Sequence, residues 1–354
     1  MAVADGHSVV FLERPTDVRA LRNRTSRRHW LSAARLRPVI PKAGVINVVP
    51  TSTLVPGHRT DLAQRLDAHR LLMNLKLVEH LAESTVVATQ PWQWPAVRAC
   101  AAKRLVFDCA DDWTSLIPTR RGIIERLERQ IGVEADAVIA VNADLESRFA
   151  RELCVVPNGT GSELLSVPSV ARPSGPKRMI YVGTMSERFD TQLVRDVMTR
   201  LTDWTLDLYG PCAYAGHGAK PADDLGDLIS WADGRIRWHG TVVRSRLIPL
   251  IDSANVAVIP HRQRYTLGQD SMKLYDYAAR ARPIVATPGL QRGTERLTAG
   301  IFESASAADF ASNVIEAAGT SDEALLPLRV WAERHAWPER WKQWHRAALM
   351  GAGQ

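Results

Sequence analysis

The sequence predicts an α/β protein made of two doubly wound, Rossmann-like domains. Three observations predict it. Short β-branched runs alternate with longer amphipathic stretches, the pattern of parallel strands joined by crossover helices. The alternation pauses after Asn158-Gly159 in a stretch rich in Ser, Pro and Gly that ends near Gly175-Pro176, and then begins again. At 354 residues the chain is also long for one hydrophobic core.

In the first half, strands are expected at residues 8–12, 45–49, 85–88, 105–108, 137–140 and 154–157, with helices at 60–83, 122–133 and 143–152. In the second half, strands are expected at 178–182, 205–209, 236–238, 256–259 and 283–286. The helices between and after them fall at 191–200, 222–231, 244–253, 271–281 and 306–318. The helix at 271–281 is the best marked. Asp270 and Ser271 are good N-caps, Arg280 and Arg282 suit its C-terminus, and Pro283 stops it before Ile284-Val285-Ala286. A basic, Trp-rich helix at about 338–349 closes the chain. The domains are expected at 1–163 and 164–334, with 335–354 packing back on the first. Two such domains facing each other place a central cleft at the carboxyl ends of both sheets, where ligands of these folds bind.

Composition narrows the function. Hydrophobic residues make up 45% and charged residues 23%, ordinary for a globular chain. The net charge of +7, carried mostly by arginine, favours an anionic ligand or an anionic membrane surface. No nucleic-acid motif accompanies it, so nucleic acid is not expected as a partner. Cys100, Cys109, Cys154 and Cys212 form no CxxC pair, and the histidines show no ligand spacing. They read as reduced thiols of a cytoplasmic protein without a metal site. Glu13, Arg14 and Asp17 interrupt the apolar run near the N-terminus, so no signal peptide is expected, and no stretch is long enough to span a bilayer.

Lys273, Asp276 and Arg280 fall at i, i+3 and i+7 and so share one helix face. A helix N-terminus with Lys273 in its first turn is a natural seat for a phosphate, and Asp276 is placed to accept from a sugar or ribose hydroxyl. The same three residues also describe a solvated face with a weak ion pair. In Tyr181-Val-Gly-Thr-Met-Ser-Glu-Arg-Phe189, Gly183 allows a tight turn after a strand, and Arg188 offers a planar fork suited to a diphosphate. Trp238-His-Gly-Thr241 and Leu208-Tyr-Gly-Pro211 are comparable strand ends, the first able to present backbone groups to a nucleobase. In Phe107-Asp-Cys-Ala-Asp-Asp-Trp113, three carboxylates crowd the end of a strand. Asp108, Asp111 and Asp112 suit contacts to sugar hydroxyls or an acceptor, and Asp111 or Asp112 equally suits helix capping. Trp92 and Trp94 suit a stacking platform, or a folded core.

With Phe107-Asp-Cys-Ala-Asp-Asp-Trp113, Val156-Pro-Asn-Gly159, Tyr181-Val-Gly-Thr184 and Met272-Lys-Leu-Tyr-Asp-Tyr277 in this order, the chain resembles the bacterial family-4 retaining glycosyltransferases. The resemblance implies the GT-B architecture and a hexosyltransferase-like enzyme. It implies that Arg188 and Lys273 bind the diphosphate of a nucleoside-diphosphate-sugar donor, aided by amides of the helix starting at Ser271 and Met272. Gly183, Thr184 and Gly210 would line the donor site, and His239, Gly240 and Thr241 would border the base. Asp276 would stand at the second acid of the family's Glu-x7-Glu signature and contact the ribose, while Gly268 stands where the first acid is usual. Few residues precede the segment at 6–15, so either the true start lies further upstream or the first domain lacks the βα unit that relatives carry there. No metal or other cofactor is implied.

The reaction expected is transfer of a sugar to an acceptor hydroxyl with retention of anomeric configuration. Arg188 and Lys273 would stabilise the leaving diphosphate. Asp108, Asp111, Asp112, Trp92 and Trp94 would face a small-molecule, glycan or lipid-linked acceptor, and residues 162–176 would form a hinge. Arginines and tryptophans near the C-terminus suit either peripheral contact with the inner face of the cell membrane or docking of the last helix, and docking is favoured. Two other classes stay open: an inactive GT-B protein that binds a nucleotide or a partner, and a nucleotide-sugar epimerase, which needs no acceptor.

Overall fold

A computed structural model describes residues 9–12, 46–49, 61–75, 80–212, 223–266, 269–290 and 296–350. The chain divides into two compact units, Met1–Val156 with Trp341–Gln354, and Pro157–Arg340. Residue 268 and the expectation of a missing first βα unit lie outside the described residues, as do residues 60 and 76–79 of the helix expected at 60–83, whose last three residues, Leu81–Glu83, form a separate 3-10 turn.

In the first unit, β1 (Val9–Leu12) and β2 (Ile46–Val49) pair in parallel. A separate sheet has the order β3 (Thr85–Ala88), β4 (Arg104–Cys109), β5 (Ala137–Ala140), β6 (Cys154–Val155), all parallel. Helices α1 (Asp61–Leu75) and α2 (Arg121–Glu134) belong to this unit. Because side chains alternate along a strand, β4 and β5 feed two apolar layers. Phe107, Cys109, Val138 and Ala140 pack with Trp94, Ile131 and Phe149 on one face. Val106, Ala137 and Ile139 pack with Ala348 on the other, with Trp344 against them.

The second unit holds six parallel strands: β7 (Arg178–Val182), β8 (Thr205–Tyr209), β9 (Ile236–Trp238), β10 (Val256–Ile259), β11 (Ile284–Ala286) and β12 (Ile301–Glu303). Their spatial order is β12-β11-β10-β7-β8-β9. Numbered within the unit, this is the 3-2-1-4-5-6 order of a dinucleotide-type sheet, with its direction of winding reversing between β7 and β10. Met179 and Tyr181 join a core with α3 (Thr191–Arg200), while Ile180 joins the opposite core. Beyond α4 (Asp223–Trp231), that second core is roofed by α5 (Leu247–Asp252) and α6 (Met272–Ala279). Helix α7 (Ala307–Gly319) returns to the first core, and α8 (Leu326–Arg334) packs on α6. The last helix, α9 (Trp337–Met350), starts in the second unit and contributes its remaining turns to the first.

Three differences from expectation have physical reasons. β12 is only three residues long and α8 begins at a Leu-Pro pair, so neither carried a clear period. The helix expected at 143–152 is a 3-10 turn and the single turn Glu146–Phe149, ended by Ala150 in the left-handed region at φ 51°. The segment expected as a hinge is fastened to the second unit. Arg280 donates to the carbonyls of Leu164, Val167 and Pro168, and Arg282 donates to that of Val170. Among the described residues no helix is long and apolar enough to cross a membrane.

Candidate functional site

The carboxyl ends of β7, β8 and β9 are joined by glycines. The Gly183 amide donates to the Tyr209 carbonyl at 2.8 Å, and the Gly210 amide donates to the Gly240 carbonyl at 2.7 Å. At Gly210, with φ 132°, a Cβ would lie 2.1 Å from the Gly183 carbonyl oxygen. At Gly183 a Cβ would lie 2.2 Å from Lys273 Cε. The lysine stem therefore lies on bare backbone beside the point where the sheet reverses, and only glycine leaves it that room.

Lys273 stands in the first turn of α6, with its ammonium 5.2 Å from the centre of the Tyr181 ring. Burial, and after it the neighbouring Arg188, lower its pKa to about 8, and Asp276 opposes the shift. Arg188 donates to Gln269 Oε1 at 3.2 Å. Buried His261, directly beyond β10, has its Nε2 3.2 Å from the Tyr181 hydroxyl. Burial, Lys273 and Arg188 all push His261 towards its neutral form, and its Nδ1 has no hydrogen-bond partner. Lys273 and Arg188, singled out from sequence, are thus brought together. Tyr181, Gln269 and His261 complete the cluster, and only their places at strand ends or beside α6 could have signalled them.

Asp276, one turn beyond Lys273, accepts a 2.9 Å hydrogen bond from the Thr160 hydroxyl on Oδ1. Burial raises its pKa to about 6, against the effects of Arg244 and Thr160. Arg280 leaves this face altogether. It is fully buried and forks onto Asp252, at 2.9 Å through Nε and 2.6 Å through Nη2. The capping expectation is corrected as well. Ser271 occupies the N-cap position but its side chain makes no capping hydrogen bond, while Asp270 accepts from the Asn158 amide and the Tyr275 hydroxyl. Met272 is exposed beside it.

Exposed His239 stacks on Tyr209, with ring centres 4.5 Å apart and planes 11° apart, and its Nε2 lies 2.7 Å from Asp207 Oδ1. Buried Asp207 also faces Arg178 and Arg237, so the imidazole is held as a flat, fixed surface at the sheet's edge. Gly240, at φ 71°, turns the chain after it, and Thr184 and Thr241 are exposed on their loops.

In the first unit the acceptor-side candidates separate. Trp94 is fully buried and donates to Glu134 at 2.8 Å, so it is a core residue. Asp112 is buried too. It caps the turn Trp113–Leu116 and pairs with Arg148 at 2.9 Å, which uses both oxygens for structure. Half-buried Trp92 meets Trp113 edge to face at 5.1 Å, and Asp111 is also half-buried. Asp108 accepts from Trp344 Nε1 at 3.0 Å, and burial raises its pKa to about 6.

The fold is α/β with GT-B architecture, and comparison with solved structures agrees. The HepE protein of Anabaena, in complex with UDP and glucose, superposes with a TM-score of 0.66 at 13% identity, covering 87% of each chain. The lipopolysaccharide outer core galactosyltransferase WaaB superposes with a TM-score of 0.62 at 12% identity, covering 97% of this chain and 99% of the other. Residues 176–319 match the family model described as Glycosyl transferases group 1. A protein of Bacillus subtilis (strain 168) named for teichuronic acid biosynthesis, the glycosyltransferase TuaH, is 21% identical over 210 residues. That match covers 52% of this chain and half the length of TuaH.

Proposed function

We propose that the protein is a glycosyltransferase that moves a sugar from a nucleoside-diphosphate donor to an acceptor hydroxyl, with retention of anomeric configuration. One observation carries the reading: Lys273 and Arg188 converge beside the reversal point of a dinucleotide-type sheet, and Arg188 opposes the charge of Lys273. Two like charges held together in a half-buried site are relieved by a polyanion, and a diphosphate supplies one. As the sugar–phosphate bond breaks, negative charge grows on the diphosphate, and these cations with the first amides of α6 oppose it without a metal. Asp276 would take a ribose hydroxyl, and the surface of Tyr209 and His239 would border the base. Asp108, Asp111 and Trp92 are the remaining acceptor-side candidates, for a glycan or lipid-linked acceptor met at the cytoplasmic face of the membrane.

The test is a thermal-shift screen with UDP, GDP, ADP and TDP, with and without magnesium. A ligand that binds the folded state alone raises the melting temperature. One nucleotide should raise it independently of metal, and UDP is tried first because HepE is bound to it. Lys273→Ala and Arg188→Ala should abolish that shift and cut kcat about a hundredfold or more. Unchanged turnover in both variants would exclude this assignment. Retention is then read from the anomeric proton of the product by NMR.

A further inference from the structure

The chain passes between its units twice, and both passes meet on α6. In the first pass, the Asn158 amide donates to Asp270 Oδ2 at 2.6 Å and its side-chain amide donates to the Asp270 carbonyl at 2.7 Å. Two residues on, fully buried Thr160 donates its hydroxyl to Asp276 Oδ1. The return pass lies alongside. The Thr160 amide donates to the His335 carbonyl, the Trp337 amide donates to the Thr160 carbonyl, and Arg340 Nε donates to the Asn158 carbonyl. At Gly159 a Cβ would lie 2.5 Å from the His335 carbonyl oxygen, so the two passes touch backbone to backbone. The carboxylates one turn before and one turn after Lys273 are therefore both held by the same four-residue crossing, 157–160.

Asp276 has two oxygens with different fates. Oδ1 takes the Thr160 hydroxyl and lies 4.0 Å from Arg244 Nη2, while Arg244 also bonds Glu163. Oδ2 has no hydrogen-bond partner among the described residues, although the side chain is only 16% exposed. A carboxylate oxygen left open on a largely buried side chain can accept a ligand hydroxyl in a charge-assisted hydrogen bond. Aspartate is one methylene shorter than glutamate, so its direction decides whether such a hydroxyl can be met.

We infer that Thr160 is the positioning residue for Asp276: by holding Oδ1, it turns Oδ2 towards the ribose and sets the preference for a donor with free ribose hydroxyls. The inference rests on the donor site proposed above. It assigns a role to a residue of the crossing, 116 residues away from its partner in the chain.

The test compares wild type, Thr160→Val and Thr160→Ser, with two readouts. The first is the affinity for UDP against its 2′,3′-dideoxy analogue. Wild type should prefer UDP by about tenfold, Thr160→Val should lose the preference while keeping its affinity for pyrophosphate, and Thr160→Ser should restore it. A Thr160→Val variant that keeps the full preference overturns the proposal. The second readout needs no ligand. The Thr160 hydrogen bond lowers the Asp276 pKa, whereas Glu163 raises it and Lys273 and Arg244 lower it. Carboxyl 13C titration should therefore place Asp276 higher in Thr160→Val and leave it unmoved in Thr160→Ser. If wild type binds UDP and its dideoxy analogue equally while the titration shifts as expected, the ribose role of Asp276 fails and the Thr160 contact stands. An unshifted titration in Thr160→Val overturns the contact itself.

Discussion

Lys273 carries a charge that its surroundings oppose. Its pKa of about 8 arises because burial and Arg188 both oppose its charge. A bound diphosphate reverses that balance and raises the pKa, so the complex holds more protons than the free protein between about pH 8 and the bound value. Nucleotide binding at pH 8.5 should therefore take up protons, and affinity should fall as pH rises above 8. Calorimetry in buffers of different ionisation enthalpy measures the uptake, which Lys273→Met should abolish. Lys273 and Arg188 were legible from sequence because a cation beside a helix start or a strand-end glycine has a local physical meaning. Thr160 was not, because its partner lies on another element. Asp112 and Trp94 were ambiguous for the converse reason: capping and core packing use the same residue types as ligand contacts, and only burial separates them.

Among the elements, α6 shows where periodicity misleads. Its helical spacing places Arg280 on the face of Lys273 and Asp276, yet Arg280 closes the helix and points into protein, where Asp252 and three carbonyls satisfy its fork. Lysine could not replace that planar geometry. Arg280→Leu should leave the Asp252 carboxylate to Arg282, at 3.7 Å, and release residues 164–168, at a cost of about 3–5 kcal/mol by denaturant unfolding. Nucleotide affinity of the molecules that remain folded should be unchanged. Equal affinity loss and stability loss would place Arg280 in the binding face after all. β7, β10 and β11 were readable because each is a short apolar run with a covered core on both sides. β12 escaped because all three of its residues are only partly buried.

At the scale of the whole molecule, α9 serves both units. Its later turns cover one face of the first unit's sheet, through Ala348 and Trp344, and Trp344 binds Asp108. Trp344→Ala removes apolar cover and the hydrogen bond that restrains the Asp108 pKa, so it should cost about 2–4 kcal/mol. Differential scanning calorimetry should show the loss, while the nucleotide-induced shift of the second unit persists. From sequence the C-terminal helix suited either a membrane surface or docking, with docking favoured. The division of its turns between units depends on Arg340 reaching Asn158, a contact between distant parts of the chain.

The paired passes at 157–160 and 335–340 have one more consequence. Thr160 and Ala336 form a parallel bridge, so the two ends of the second unit lie side by side. Topologically, that unit is an insertion spliced into the first, and its ends can be joined by a short linker with little loss of loop entropy. It is therefore a natural cassette for circular permutation or for grafting into another scaffold, carrying Lys273 and the Thr160 contact to Asp276 as a single transferable piece.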